Sequence, residues 1–365
     1  MSALKAGILT FHRCINYGSY WQARCLTEGI QLRGHEATLI DHDSRRVNLS
    51  EWKCAFRPVL PTHVPESDYP IYREKIEKFF KEFDKLPLSP RFDLDQPQTM
   101  DYYDVVIVGS DEVWNLHHPW YGGHPFFYGD GIRADHLISY AASYGNYPAA
   151  SGIDAHWAEK LKNFDHISVR DENSQEIVRN ALGIEPVIVL DPCLQFEVHP
   201  DDRQDPYQKP YLAVYGHNFT TDYIEKVTNY ARRKNLPLIS IGYRNDWADE
   251  QWMTADPHDF AHFIARAEAV ATNFFHGCVF ALRNERPFAA EVTSYRSLKV
   301  QGLLKTVGAS QHLVWEDTGQ DVVDTIFSQP LDPAVTRNIT AIRKTSDAYL
   351  DQALQIKKYS HEHIA

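Results

Sequence analysis

Short apolar, β-branched runs alternate along the chain with stretches whose apolar residues recur at helical spacing, which is the pattern of α/β domains built on parallel sheets. A strand is predicted over residues 7–11, a helix over 19–32 closed by Gly34, and a strand over 37–41, together one βαβ unit. Residues 44–66 carry scattered prolines and little periodicity and read as irregular. Ile71, Ile76, Phe79, Phe80 and Phe83 then return to helical spacing with Lys and Glu between them, so an amphipathic helix packed on the core is expected there. Strands follow at 104–108, 137–142 and 167–170, then a helix over 172–182 stopped by Gly183, and a strand at 187–190.

Residues 198–210 lose this periodicity and gather Pro and charge, which marks a linker. Beyond it come strands at 211–215, 238–242 and 269–273 and helices near 222–234, 257–266 and 277–282. The expected architecture is two Rossmann-like domains, residues 1–197 and 211–332, facing across a cleft. A helical tail over 333–365 crosses back onto the first domain.

Length and composition narrow the partners. The 365 residues suffice for two domains with real cores, and 43% hydrophobic with 24% charged residues is a globular composition. Lys and Arg number 37 against 49 Asp and Glu, a net charge of −12, which argues against nucleic acid as the partner. Any anionic ligand must then be held by a few placed cations and helix ends. Cys14, Cys25, Cys54, Cys193 and Cys278 form no CxxC pair and no metal-ligand spacing, so a reducing compartment and no metal site are expected. With no apolar signal core and no run of about 18 apolar residues, a cytoplasmic protein is expected. A peripheral place at the inner face of a membrane is left open.

Ligands of open α/β sheets collect at the carboxyl ends of strands, so residues 109–115, 143–145 and 170–174 are expected to converge on one crevice. His276 stands where a strand gives way to a helix, whose free N–H groups favour an anion, and Gly277 allows close backbone approach; a packed turn histidine is the alternative. Arg170 ends a strand, where its guanidinium can grip a carboxylate or phosphate or pair with Asp171, Glu172 or Asp191. Its place at a strand end also predicts that the fold tolerates its loss. Asp111 and Glu112 offer a base or acceptors for sugar hydroxyls, or merely cap a helix. His117 and His118, beside Trp114 and Trp120, suit a sugar face, although surface histidines are commoner.

Taken together, these stretches resemble the polysaccharide pyruvyltransferase family from about residue 6 to about residue 315. The residues that carry the resemblance are Asn16, Tyr17, Gly18 and Ser19, VGSDEVWN at 108–115, SYAASYG at 139–145, SVRDENS at 168–174, LDPCL at 190–194 and TNFFHGCVFALRNERPF at 272–288. Glu112 stands where the usual pattern has Gln, and Phe274 where a small hydroxyl residue is common. The resemblance implies a glycosyltransferase-B-like pair of domains that places pyruvate from phosphoenolpyruvate on two hydroxyls of a sugar as a cyclic ketal, releasing phosphate, with no further cofactor and no metal. It implies Arg170, His276, Gly277 and Lys299 around the donor and Asn16, Asp111, Asn115, His117 and His118 around the acceptor. The first domain is then the acceptor side and the second the donor phosphate side. His276 would act as acid or phosphate ligand and Asp111 as base. The acceptor is a sugar or glycan, free or lipid-linked. Two rivals stand beside this reading, a nucleotide-sugar glycosyltransferase on the same scaffold and a catalytically silent sugar-binding protein.

Overall fold

The computed structural model describes residues 2–58, 64–204, 207–293 and 297–356. Its first half runs β1 (Lys5–Leu9), α1 (Tyr17–Leu32), β2 (Glu36–Leu39), β3 (His42–Asp43), α2 (Arg45–Phe56), α3 (Tyr69–Phe83), β4 (Phe92–Asp93), β5 (Tyr103–Val108) and β6 (Ala134–Ser139), then α4 (Ala155–Leu161), β7 (Ser168–Val169), α5 (Glu172–Leu182), β8 (Val187–Ile188) and the single turn α6 (Pro192–Gln195). Four strands pair in parallel in the order β2-β1-β5-β6. Val105, Val106, Ile107 and Val108 are wholly buried, as a strand covered on both faces must be. Isolated bridges from Ile138 to His166 and from Ala142 to Val169 carry the edge of this sheet on to the β7–β8 pair.

The second half runs β9 (Leu212–Tyr215), α7 (Thr221–Lys234), β10 (Leu238–Ile241), β11 (Glu250–Trp252), α8 (Pro257–Arg266), β12 (Ala269–Thr272), α9 (Phe275–Arg283), β13 (Phe288–Glu291), α10 (Ser297–Thr306), β14 (Leu313–Val314), α11 (Gln320–Ser328) and α12 (Pro333–Ala353). Its six strands are parallel in the order β11-β10-β9-β12-β13-β14. Both units are Rossmann-like. Strand order reverses direction between β1 and β5 in the first sheet and between β9 and β12 in the second, and crevices open at such switch points.

The two domains are joined along an apolar seam, with Tyr17 stacked on Phe260 at 4.7 Å between ring centres, and hydrogen bonds stitch it. Tyr17 donates its hydroxyl to Ala255 O at 2.7 Å, Trp21 its indole N–H to Pro257 O at 2.8 Å, and the buried Lys75 its ammonium to Gly242 O at 2.9 Å. α12 crosses back to the first domain, where the Tyr349 hydroxyl donates to Ser139 O at 2.6 Å and Ser346 Oγ accepts from Leu190 N at 3.0 Å. The last residues of the expected tail, 357–365, lie outside the described residues.

One expectation is corrected. Part of the stretch read as irregular, residues 44–66, is the helix α2, of which only Val47 is buried. Leu49 and Trp52 point outward, so no inward apolar stripe marks the helix in the sequence.

Candidate active site

Three strand ends bring the central residues together. Arg170 directly follows β7, and its side chain is 2% exposed. Nη1 donates to Asp191 Oδ2 at 3.1 Å, and Nη2 stands 3.6 Å from Asp111 Oδ1, a charge contact beyond hydrogen-bond range. The guanidinium lies 4.4 Å from the centre of the Phe275 ring, a cation–π contact across the domains. Its Nε is buried and lacks a hydrogen-bond partner among the described residues. The Nε–Nη2 edge, which matches a carboxylate, is therefore the less satisfied side.

Sequence reasoning missed Asp191 as a site residue. It caps α6, accepting from Cys193 N at 3.0 Å, with Pro192 in the first turn where its missing N–H costs nothing. Its other oxygen faces both cationic candidates, Arg170 at 3.1 Å and His276 Nε2 at 3.6 Å. Burial pushes the Asp191 carboxyl up, but His276 and Arg170 outweigh it and hold the carboxyl at about 2. The signal was in the sequence: an Asp before Pro, just past a strand, is a cap whose carboxylate stays at the strand end.

His276 is the second residue of α9 and is nearly buried, with Nε2 lacking a hydrogen-bond partner among the described residues. Its ring lies on the backbone of Gly18, where a Cβ would come within 1.9 Å of His276 Nδ1. Gly277 makes room for its own strand instead, since a Cβ there would meet Thr272 Oγ1 at 2.1 Å. Phe274 provides no side-chain cap to α9, so the helix start keeps its donors for another acceptor.

Asn16 is the N-cap of α1, its Oδ1 accepting from Gly18 N at 2.8 Å and Ser19 N at 3.2 Å. Asp111, at φ +75° in a turn rather than at a helix start, accepts from Ser19 Oγ at 2.8 Å and from Glu112 N at 2.8 Å. Both oxygens keep lone pairs for a hydroxyl. Lys299 reaches across from α10 to donate to Glu112 Oε1 at 2.7 Å, while Asn115 Nδ2 donates to Oε2 at 2.7 Å. Burial raises the Glu112 carboxyl, but Lys299 and its neighbours bring it down to about 2.

The two neighbouring histidines part. His118 turns inward among Phe11, Trp120 and Tyr121, and burial lowers its pKa against the pull of Glu112 and Asp111. His117 is exposed and rests on Tyr147 with ring centres 4.6 Å apart. Trp114, expected on a sugar face, is instead fully buried, its indole N–H donating to Phe127 O at 2.9 Å. A groove elsewhere, lined by Glu285, Leu331, Arg337 and Lys344, gathers none of these residues.

The spacing that held no metal ligands in sequence brings Asp191, Cys193 and His276 together, with ligand atoms within 4.8 Å of one another. Two features oppose a cation there. Arg170 already engages Asp191 Oδ2, and burial pushes the Cys193 thiol well up, away from the thiolate a metal needs. The described cysteines are all unpaired as disulfides.

The fold and site define a two-domain α/β scaffold whose strand ends bring Arg170, Asp111, Asp191 and His276 together. The family model of polysaccharide pyruvyl transferase matches residues 16–294, and the chain belongs to that family. Comparison with curated proteins found no match. Among solved structures, a putative UDP-N-acetylglucosamine 2-epimerase from Listeria monocytogenes superposes with a TM-score of 0.52 at 12% identity, covering 95% of this chain and 98% of the other. S. aureus MnaA in complex with UDP gives 0.51 at 13% identity, covering 97% and 98%. At these identities the likeness shows the fold alone, two Rossmann-like domains.

Proposed function

We propose that this chain transfers pyruvate from phosphoenolpyruvate to two hydroxyls of a glycan as a cyclic ketal. The observation that carries the reading is a pair of buried donors without partners, Arg170 Nε and His276 Nε2, one from each domain, in a protein of net charge −12. Buried polar nitrogens are mostly satisfied, and these two flank the one carboxylate of Asp191, which supports an anionic ligand held there.

In this reading the Nε–Nη2 edge of Arg170 takes the donor carboxylate. His276 and the uncapped start of α9 take the phosphate. A proton delivered by the His276 imidazole to the methylene carbon turns it into a methyl group, and one acceptor hydroxyl adds to the neighbouring carbon, its proton passing to Asp111. The second hydroxyl then displaces phosphate, which leaves with that hydroxyl's proton, and the atoms balance with no cofactor. Asp191 keeps Arg170 and His276 facing one another and supports the protonated imidazole.

The test is incubation with phosphoenolpyruvate and a panel of glycans. Phosphate release with a glycan gaining the mass of pyruvate less water supports the reading. Release of nucleoside diphosphate from a UDP- or GDP-sugar, with no use of phosphoenolpyruvate, replaces it with glycosyl transfer. Binding of glycans without turnover of either donor leaves a sugar-binding protein.

A further inference from the structure

α2 carries Arg45, Arg46 and Lys53, with Arg57 just past its end, all exposed, against the single acid Glu51. Glu51 is turned inward, where its Oε1 accepts the Trp120 indole N–H at 2.8 Å. The outward face therefore has cations and no carboxylate of its own helix, in a chain whose net charge is −12. On that face Leu49 is 47% and Trp52 45% exposed, in line with Arg45 and Lys53 at helical spacing. Trp52 is braced edge-on against Phe80 of α3, with ring centres 5.8 Å apart.

A surface helix normally turns its large apolar residues inward. Here a Trp and a Leu stand out among Arg and Lys, the arrangement of a helix lying in a lipid headgroup layer: the two apolar side chains enter the acyl boundary and the cations meet anionic phosphates. A second copy of the chain fits this face poorly. Two-fold pairing would set Arg45, Arg46 and Lys53 against their own counterparts, and a helix of about 18 Å offers less than the roughly 800 Å² per partner that a stable dimer buries.

We infer that α2 docks the protein on an anionic membrane surface. The inner side of the helix leads to the candidate acceptor region, since Trp120, the partner of Glu51, meets His118 edge-on with ring centres 5.2 Å apart. Resting on the proposed glycan acceptor, this gives that acceptor a lipid carrier, presented from the surface on which α2 lies.

The experiment is sedimentation of the full chain with vesicles of phosphatidylcholine alone and of phosphatidylcholine with phosphatidylglycerol. Binding is expected only to the anionic vesicles and should weaken as salt rises. Arg45→Gln/Arg46→Gln/Lys53→Gln should lower the partition coefficient on the order of a hundredfold, and Leu49→Ser/Trp52→Ser should also release the protein. Equal binding to both vesicle types, no binding to either, or parental binding by the triple variant overturns the inference. A dimer in solution that Leu49→Ser/Trp52→Ser disperses overturns it in favour of a second copy. Pyruvylation of a water-soluble sugar, measured in parallel, should be the same for parent and triple variant; its absence from both would strike the proposed function while the vesicle result still decides this one.

Discussion

Arg170, Asp191 and His276 stand at the ends of strands or in the first turn of a helix, each held by backbone or charge from a neighbouring element, whereas His117, His118, Asn115 and Asp111 all hang on one connection, residues 109–133 between β5 and β6. The proposed donor end inherits its geometry from two parallel sheets. The proposed acceptor end depends on local turns, ring contacts and the Glu112 carboxylate. The difference suits the proposed chemistry, because a donor of fixed shape needs a fixed grip, while acceptor choice can change with one loop.

The sharpest way to break this comparison is to substitute one histidine from each end. His276→Gln should lower kcat by about 10²- to 10⁴-fold with phosphoenolpyruvate affinity nearly kept if the imidazole delivers the proton, whereas a loss of affinity along with rate marks it as a phosphate ligand only. His117→Gln, on an exposed ring, should leave stability within about 0.5 kcal/mol of the parent and turnover close to it. Steady-state kinetics on a verified acceptor checks both, and equal losses in the two variants would dissolve the distinction between the ends.

Arg170 tests whether the donor end is also a structural keystone. Its position at a strand end suggested that the fold tolerates its loss, but the guanidinium is buried between two carboxylates. Arg170→Ala strips Asp191 and Asp111 of their cation and should destabilise the fold by about 3–5 kcal/mol, read from urea unfolding midpoints. Arg170→Lys keeps the charge and should recover much of the stability, yet bind phosphoenolpyruvate weakly for want of the planar fork. Parental stability in Arg170→Ala would show that the buried pairs contribute little.

The strand ends were legible because parallel strands, buried on both faces, announce themselves as apolar runs that stop at polar residues. That rule places Arg170, Asp111 and His276 from sequence alone. It does not reveal which atoms meet: that Gly18 is the bed of the His276 ring, or that Asp191 faces both Arg170 and His276, arises only when separate elements pack. Trp114 misled because an aromatic beside histidines looks the same whether it faces sugar or core. α2 escaped because Leu49 and Trp52 face outward, and a helix with no buried stripe has no period to read.

A smaller loss than that of Arg170→Ala is expected at the cross-domain contact where the two ends meet, Lys299 with Glu112. Glu112 keeps its carboxyl at about 2 in the folded chain against 4.5 unfolded, so the unfolded state binds more protons between those values. A depressed carboxyl contributes stability that is full above about pH 4.5 and is lost as pH falls towards about 2. Lys299→Met removes the main cause of the depression, and because both side chains keep some contact with solvent, the loss at pH 7 should be on the order of 1 kcal/mol. Asp191 titrates over the same acidic range but is present in both proteins, so it cancels in their difference. Thermal unfolding of parent and variant should therefore give melting points about 2 °C apart at pH 7 that draw together below pH 4.5. A gap that stays constant down to pH 3 would mean that Lys299 stabilises the seam by packing alone, and that the contact between the two ends is not electrostatic.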